Sequence, residues 1–410
     1  MSLGGIARRA LSGAGCCVVA LSLAAAAPQA AAGAVLDLPV AFKVRNTNTS
    51  GIACASDGAE YTVRGQLVGP RSALYGRSPR AVTVYLHGFN VGGFLWRPPG
   101  MPRLDHPAAL ARRGHVSLTV DRLGYDTSGH PHGWLSCFGS QADVVHQLVE
   151  KLRSGDYAIG RGGPPAFSTV VLAGHDAGAA IADIVAYSYK DIDAIVHFNW
   201  ADQGFTEKVT QGFVEALPVC ASGGQAAEQG PPDRDDPAGG PSGYVQFLTD
   251  AQIREEQFNT EPEMVDLLMR LVNRNPCGEF TQVPQVAQTN TQRLPEIQIP
   301  VLYGYTDHEF IWTQEGLAQQ TQHYRNSRDL TTVVIRDAGH FPMFSRVAST
   351  FHSTVAEWLR SRGLMSASAL TADRSMTRGT PRVSGPPRAR PLAGGGGGTS
   401  PGSTGSRGAP

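Results

Sequence analysis

The chain has 410 residues, of which 41% are hydrophobic, and its 35 basic residues are balanced by 35 acidic ones. This hydrophobic share supports a sizeable core and excludes a wholly disordered chain. A zero net charge argues against a dedicated nucleic-acid binder, which normally carries a surplus of basic residues.

The N-terminal residues predict a secretory signal peptide, residues 1–32, and therefore a secreted, extracellular protein. Arg8 and Arg9 precede an apolar run rich in Ala, Leu and Val, and small residues in an A-x-A pattern follow up to Ala32. The paired arginines fit a twin-arginine signal, and the same segment also fits a Sec signal. No other apolar run reaches the roughly 20 residues of a membrane span, so we expect no stable membrane insertion after signal cleavage.

The cysteine positions predict two disulfides. Of the six cysteines, Cys16 and Cys17 fall within the predicted signal peptide, which leaves four in the mature chain. An even number in an oxidising compartment favours two disulfides, for which three pairings are possible. We predict Cys54–Cys137 and Cys220–Cys277, because each pair would then stay within one structural layer.

Two extended stretches, residues 40–45 and 61–68, come first and predict an antiparallel start to a sheet. Short runs rich in Val, Ile and Leu then predict strands buried on both faces of a mostly parallel sheet. These runs are residues 81–86, 116–120, 169–173, 194–198, 301–303 and 331–335. Helical patterns alternate with them at residues 107–113, 141–152, 177–188 and 351–362. This order predicts an α/β fold with an eight-stranded sheet flanked by helices, within residues 34–365.

The alternation of strand and helix stops between residues 201 and 299. That segment has no clear buried strand, and its helical patterns fall at residues 251–257 and 261–273. It is too long for a simple connection and predicts a helical cap insertion at about residues 203–295. The C-terminal residues 366–410 are rich in Gly, Pro, Ser and Arg and predict a disordered tail, because they bury too little apolar surface to offset the entropy of ordering.

The strongest local motif lies where the run at residues 169–173 meets the next helix. Its residues are Gly174-His175-Asp176-Ala177-Gly178. Small residues two before and two after a central residue are typical of a strained strand-to-helix turn, because no side chain fits there. Such a turn presents its central side chain, here Asp176, at the carboxyl edge of the sheet, beside the N–H groups that begin the helix.

Further candidate residues follow other predicted strands. Asp307 comes after the strand at residues 301–303, and His340 follows the strand at residues 331–335. Asp202 follows the strand at residues 194–198 and is the alternative acid to Asp307. The segment His87-Gly88-Phe89-Asn90 follows a strand where an oxyanion loop would lie, so the N–H groups of Phe89 and Ala177 are candidate oxyanion donors.

These motifs resemble the α/β-hydrolase superfamily over residues 82–359, with the chain order nucleophile, acid, histidine. An aspartate at the turn resembles the epoxide hydrolase and haloalkane dehalogenase branch. That resemblance implies Asp176 as nucleophile, His340 as base and Asp307 as the acid that orients it. Residues 124–130 and 199–205 are also similar to secreted actinobacterial α/β-hydrolases, in which the central residue of the turn is commonly Ser.

Reaction chemistry separates the substrate classes. A carboxylate that attacks an sp³ carbon forms an enzyme ester, which water activated by His340 hydrolyses. A carboxylic-ester substrate would give a mixed anhydride, which is a poor route. Asp176 therefore favours an epoxide, and after it an alkyl halide. An esterase-like hydrolase with an atypical nucleophile and a catalytically inert binding protein on the same scaffold are the alternatives.

The chain departs from both named activities at specific positions. Ala177 stands where dehalogenases typically place Trp, and Asn90 stands where epoxide hydrolases usually have Pro. Epoxide hydrolases usually protonate the substrate oxygen with two cap tyrosines, and the predicted insertion contains only Tyr244. Trp200 ends the preceding strand and is a candidate N–H donor. Asn90, Trp200 and Tyr244 therefore join Phe89 and Ala177 as candidate substrate-binding residues.

No metal or cofactor is expected. His115, His130 and His132 lack the carboxylate or cysteine spacing that supports a metal site, so we interpret them as polar loop residues. The expected partner is a small-molecule substrate, and no nucleic acid is expected.

Overall fold

The computed structural model describes residues 34–76, 80–227 and 241–365. The predicted signal peptide and the predicted tail lie outside these ranges and stay predictions. In the described ranges, no helix combines the length and apolar character that crossing a bilayer requires.

The strands of the described residues begin with a long hairpin and end with two parallel strands. They are β1 Val35–Arg45, β2 Glu60–Pro70, β3 Ala81–Leu86, β4 Val116–Val120, β5 Ala158–Ile159, β6 Thr169–His175, β7 Ala194–Phe198, β8 Tyr244–Val245, β9 Asn275–Pro276, β10 Val301–Thr306 and β11 Leu330–Ile335.

Helices connect these strands. They are α1 Arg71–Tyr75, α2 His106–Ala111, α3 Phe138–Ser154, α4 Ala177–Tyr189, α5 Glu207–Ala221, α6 Asp250–Glu255, α7 Pro262–Leu271, α8 Cys277–Arg293, α9 Gln314–Gln320 and α10 Ala348–Ser361. Single 3-10 turns occur at Gly93–Leu95, Gly133–Leu135, Leu294–Glu296 and Thr321–Tyr324.

Nine strands form one sheet in the order β11-β10-β7-β6-β3-β4-β2-β1-β5. The strands from β11 to β4 in that order are parallel to their neighbours, and β2, β1 and β5 are joined by antiparallel pairing. The predicted α/β fold with a mostly parallel sheet is confirmed. The ninth strand, β5, is two residues long and pairs with Val40 and Ala41 of β1, so it is too short to show as a pattern in the sequence.

Burial explains why the sequence pattern located the central strands so well. Every residue of β3, β4 and β7 is buried. Strands covered on both faces show as continuous apolar runs, and the bounds of these three match their predicted runs. The parallel strands end at a common edge, where β6, β10 and β11 lead into the candidate residues.

In the described part of the predicted cap insertion, residues 203–227 and 241–295, four helices, α5 to α8, lie between β7 and β10. The sequence patterns located α6 and α7 but not α5 and α8. Each of the missed helices contains an internal proline, Pro218 in α5 and Pro284 in α8, and proline normally argues against a helix interior.

Both predicted disulfides are confirmed. Cys54–Cys137 ties the segment between β1 and β2 to the start of α3, and Cys220–Cys277 ties the end of α5 to the start of α8. The second disulfide therefore fastens two helices of the insertion together. Two disulfides suggest an extracellular or otherwise oxidising environment.

Candidate active site

The turn between β6 and α4 holds Asp176 in a strained conformation. Its φ and ψ are 52° and −128°, values that non-glycine residues rarely adopt. A Cβ on Gly174 would lie 2.3 Å from the carbonyl oxygen of Gly178, and one on Gly178 would lie 2.3 Å from that of Leu86. Only glycine fits at these two positions, so the sequence motif is a direct consequence of the tight turn.

The Asp176 carboxylate accepts a backbone N–H group. The N–H of Phe89 donates to Oδ2 at 2.9 Å, and the nearby N–H of Ala177 also favours the charged form of the carboxylate. Burial raises the pKa of Asp176, and His340 together with the two N–H groups offsets part of that rise. Phe89, one of the two residues predicted as oxyanion donors, thus donates its N–H to an oxygen of the enzyme's own side chain.

His340 lies beside Asp176, and hydrogen bonds hold both its imidazole ring and its backbone carbonyl. Its Nδ1–H donates to Oε1 of Glu309 at 2.7 Å. Its backbone carbonyl accepts hydrogen bonds from Asn199 at 2.6 Å and from His175 Nε2 at 2.7 Å. Burial lowers the pKa of His340, but the charge and hydrogen bond of Glu309, with smaller contributions from Asp176, outweigh it and raise the pKa to about 9.

Glu309 takes the place predicted for Asp307, which is a correction. The loop after β10 turns Glu309 toward His340, and the N–H groups of Phe310 and Ile311 hold its Oε1 at 3.0 and 2.8 Å. Asp307 instead accepts a long hydrogen bond of 3.4 Å from the N–H of Ala338. The missed signal was a second acidic residue two positions further along the same loop.

Asp202, the alternative acid, is used elsewhere. It is buried and accepts hydrogen bonds from Asn290 at 3.0 Å and Gln320 at 2.7 Å. It also accepts the indole N–H of Trp200 at 3.0 Å. That contact contradicts the expectation that Trp200 offers its N–H to a substrate.

Two further candidates have structural partners. The backbone N–H of Asn90 donates to Oδ1 of Asn275 at 2.7 Å, and Nδ2 of Asn275 donates back to Oδ1 of Asn90 at 2.8 Å. Asn90 therefore links the oxyanion loop to the insertion through its N–H and its Oδ1. The Tyr244 hydroxyl donates to the carbonyl of Pro131 at 2.8 Å, and its expected role as proton donor stays a prediction.

Comparison with known proteins places this arrangement in a family. Residues 83–351, more than half of the chain, match the model of the Alpha/beta hydrolase family. The chain belongs to the alpha/beta hydrolase family. Membership supports a hydrolase that acts on a small-molecule substrate. No curated protein matches the chain.

Solved structures similar to this hydrolase have low sequence identity to it. An esterase from Thermogutta terrifontis with malate bound is 18% identical, with a TM-score of 0.53, over 78% of this chain and 98% of that one. A monoacylglycerol lipase from Paleococcus ferrophilus is 16% identical, with a TM-score of 0.49, over 69% and 95%. The epoxide hydrolase CorEH is 14% identical, with a TM-score of 0.45, over 78% and 98%. Such identities show the fold alone.

One buried carboxyl group of the hydrolase near Asp176 was not predicted from the sequence. Glu256 follows α6 in the insertion, is 2% exposed, and interacts electrostatically with Asp176, His340 and Glu309. Burial is the main cause that raises its pKa to about 8. Glu256 directly follows a six-residue helix and belongs to no catalytic motif, so the helical pattern that includes it did not mark it as a site residue.

A buried ion pair connects the insertion of the hydrolase to the oxyanion loop. Arg122 donates to Oε2 of Glu279, in α8, at 2.7 Å, and its Nε donates to the carbonyl of His87 at 2.9 Å. Burial works against the charge on Arg122, but Glu279 and Tyr125 outweigh it and raise the pKa of Arg122. The loop that carries Phe89 is therefore tied to the insertion through a charged contact.

A surface groove of about 1280 Å³ lies elsewhere on the hydrolase. Arg64, Arg97, Asp121 and Arg270 are among the residues that line it. None of its lining residues belongs to the group formed by Asp176, His340 and Glu309, so the groove is not where this chemistry would take place.

Proposed function

We propose that this protein hydrolyses an epoxide or a similar hydrophobic small molecule through an ester on Asp176. The observation that carries the proposal is the 2.9 Å hydrogen bond from the Phe89 N–H to Oδ2 of Asp176. In a serine hydrolase, such N–H groups bind the carbonyl oxygen of the substrate. Here the carboxylate of Asp176 already accepts such an N–H group, so this donor is not free for the carbonyl oxygen of an ester substrate.

The same contact suits an aspartyl-ester mechanism. In the first step, the other oxygen of Asp176 attacks a substrate carbon, and Oδ2 becomes the carbonyl oxygen of the new ester. In the second step, water attacks that carbonyl, and the N–H groups of Phe89 and Ala177 stabilise the charge that develops on Oδ2. The oxyanion site therefore acts on the enzyme's own ester.

His340 is the proposed base of the second step. Its Nδ1–H is fixed by Glu309, which leaves Nε2 to take a proton from water. The negative charge of Asp176 contributes to the raised pKa of His340. Forming the ester removes that charge, so the pKa of His340 falls when the base is needed.

Two wider proposals accompany the mechanism. The described residues of the insertion, 203–227 and 241–295, form a cap over the reaction site, supported by the electrostatic interaction of Glu256 with His340 and Asp176. The protein is secreted, supported by the two disulfides and by the signal-like N-terminal sequence.

The test is to trap the ester in a His340→Ala variant. The variant is mixed with pooled epoxides, alkyl halides and carboxylic esters, and its intact mass is measured. Without the base, the second step stalls, so we expect a stable adduct that peptide mapping places on Asp176. The adduct mass names the substrate class.

The matched control is His308→Ala, which removes an exposed histidine from the loop after β10. This variant should turn over the same compounds without accumulating an adduct. An acyl adduct from the carboxylic esters would favour the esterase-like alternative. The absence of any adduct, together with no turnover by the unmodified protein, would favour the inert binding protein.

A further inference from the structure

Glu256 is placed against the segment that carries His340. A Cβ on Gly339, the residue before His340, would lie 2.8 Å from the backbone carbonyl oxygen of Glu256. The Glu256 side chain is buried and interacts electrostatically with Asp176, His340 and Glu309. The insertion therefore brings a fourth ionisable group to the three that the sheet supplies.

The surroundings of Glu256 favour its neutral form. Among the described residues, its carboxyl group accepts one hydrogen bond, from Gln257 Nε2 at 3.3 Å, and forms no ion pair with Lys or Arg. Burial is the largest cause of its raised pKa of about 8, and the charges of Glu309 and Asp176 add to it against the opposing effect of His340. At neutral pH this group is a carboxylic acid with a proton to give.

We propose that Glu256 is the catalytic acid that protonates the substrate oxygen while Asp176 forms its ester. This assignment rests on the proposed function and supplies the proton donor that the cap tyrosine was expected to provide. Tyr244 gives its hydroxyl hydrogen to Pro131 and is not needed for the step.

Protons are conserved over the full catalytic cycle. As a carboxylate oxygen of Asp176 bonds to an epoxide carbon, the C–O bond of the ring breaks, and its oxygen takes the proton of Glu256. Water then cleaves the ester, with His340 moving one proton from the water to the departing alkoxide, and leaves Asp176 as a carboxylic acid. That acid ionises and returns a proton to the Glu256 carboxylate, so the net reaction is epoxide plus water to diol.

The assignment also selects the substrate class. An epoxide oxygen leaves its carbon as a strongly basic alkoxide unless it is protonated, whereas a halide leaves as a stable anion. A neutral acid beside the nucleophile is therefore useful for an epoxide and of no use for an alkyl halide. Glu256 consequently favours the epoxide within the proposed range of substrates.

The experiment compares two probes with the same carbon skeleton, styrene oxide and (2-bromoethyl)benzene. The rate of Asp176 alkylation is measured by rapid quenching and intact mass in His340→Ala and in His340→Ala/Glu256→Gln. Removing the acid should slow alkylation by styrene oxide by at least about 100-fold, and alkylation by the bromide by less than about threefold. Glu255→Gln in the same background is the matched control, because Glu255 is exposed and pairs with Lys208; it should change neither rate.

The outcomes separate the two proposals. No adduct from either probe in His340→Ala would overturn the proposed function itself. An adduct that forms from styrene oxide equally fast with and without Glu256, or from the bromide alone, would overturn only the assignment of Glu256.

A measurement on the unmodified protein covers the case in which Glu256→Gln does not fold. The ratio of kcat/KM for styrene oxide to that for the bromide is followed against pH. Asp176, His340 and Glu309 are the charged groups facing Glu256, and they act on both probes, so the ratio isolates the proton donor. The ratio should fall as the pH rises through about 8, where Glu256 loses its proton. A ratio that is independent of pH would contradict the proposal.

Discussion

Glu256 and Glu279 are both buried carboxyl groups of the insertion, with exposed fractions of 2% and 0%, yet their surroundings differ. Glu279 pairs with Arg122 at 2.7 Å and accepts a hydrogen bond from Gln141 at 2.8 Å. Among the residues that the structure describes, Glu256 has a single hydrogen bond, from the neutral Gln257 at 3.3 Å, and three ionisable groups lie nearby.

These different partners indicate different roles for the two carboxyl groups. A buried charge that is paired and fully hydrogen-bonded holds two elements in register, and here Glu279 holds α8 to the oxyanion loop through Arg122. A buried carboxyl group without a cation has a perturbed pKa, and such groups are concentrated at functional sites. Burial alone therefore does not distinguish an anchor from a reactive group, whereas the partners of the carboxyl group do.

A third carboxyl group with a buried side chain, Glu309, accepts a hydrogen bond from His340, the proposed base. Replacing it in Glu309→Gln should lower kcat by about 10³- to 10⁴-fold, since His340 loses both its orientation and the charge that stabilises its protonated form. The pKa of His340 should fall from its value of about 9. Steady-state kinetics and NMR titration of His340 measure the two effects.

Asp307→Asn is the control for Glu309→Gln, because Asp307 lies in the same loop and contacts Ala338 instead of His340. Its kcat should stay within about threefold of the unmodified protein. Loss of turnover in Asp307→Asn with turnover retained in Glu309→Gln would restore Asp307 as the partner of His340.

Breaking the ion pair between Arg122 and Glu279 should mainly lower the free energy of unfolding. Glu279→Gln leaves the Arg122 charge buried without its counter-charge, which costs about 3–5 kcal/mol in the free energy of unfolding. Urea denaturation measures this loss. A change below about 1 kcal/mol would mean that Arg122 and Glu279 do not anchor the insertion.

Glu256→Gln is the counterpart of Glu279→Gln, because the pKa of Glu256 is raised from 4.5 to about 8. At low pH the carboxyl group of Glu256 is neutral, and it then contributes most to the free energy of unfolding of the unmodified protein relative to that of the variant. That relative stability should fall progressively as the pH rises from about 4.5 through about 8, where the buried group acquires its charge. Urea denaturation of the two proteins at several pH values between these limits measures the trend.

The smallest expected effect concerns Tyr244, the acid predicted from sequence. Tyr244→Phe removes the hydrogen bond to the Pro131 carbonyl, and the loss of that bond should cost about 0.5–1.5 kcal/mol in the free energy of unfolding. Turnover of styrene oxide should remain within about twofold. A loss of about 100-fold would move the proton donor from Glu256 to Tyr244.

The sequence predicted those features that follow from backbone constraints. The glycines around Asp176 are required by a turn in which no other residue fits, and continuous apolar runs are required by strands buried on both faces. Side-chain partners across loops were predicted less well. Asp307 and Glu309 are two residues apart, and only the path of the loop decides which of them meets His340.

Glu256 shows the same limit more strongly. It belongs to an insertion that is distant in sequence from Asp176 and His340. No local sequence pattern therefore indicates that Glu256 lies near these two residues. Likewise, the hydrogen bonds that occupy Trp200 and Tyr244 join residues that a motif does not connect.

The Asp176 carboxylate that fills the oxyanion site also determines how the protein should respond to covalent inhibitors. Organophosphonate reagents inactivate serine hydrolases by bonding phosphorus to the nucleophilic hydroxyl while the phosphoryl oxygen enters the oxyanion site. Here the hydroxyl is absent, and Oδ2 of Asp176 already accepts the Phe89 N–H. In a labelling survey with such reagents, this protein should stay unmarked among its serine-dependent relatives, whereas an electrophilic epoxide carrying a reporter group should mark it.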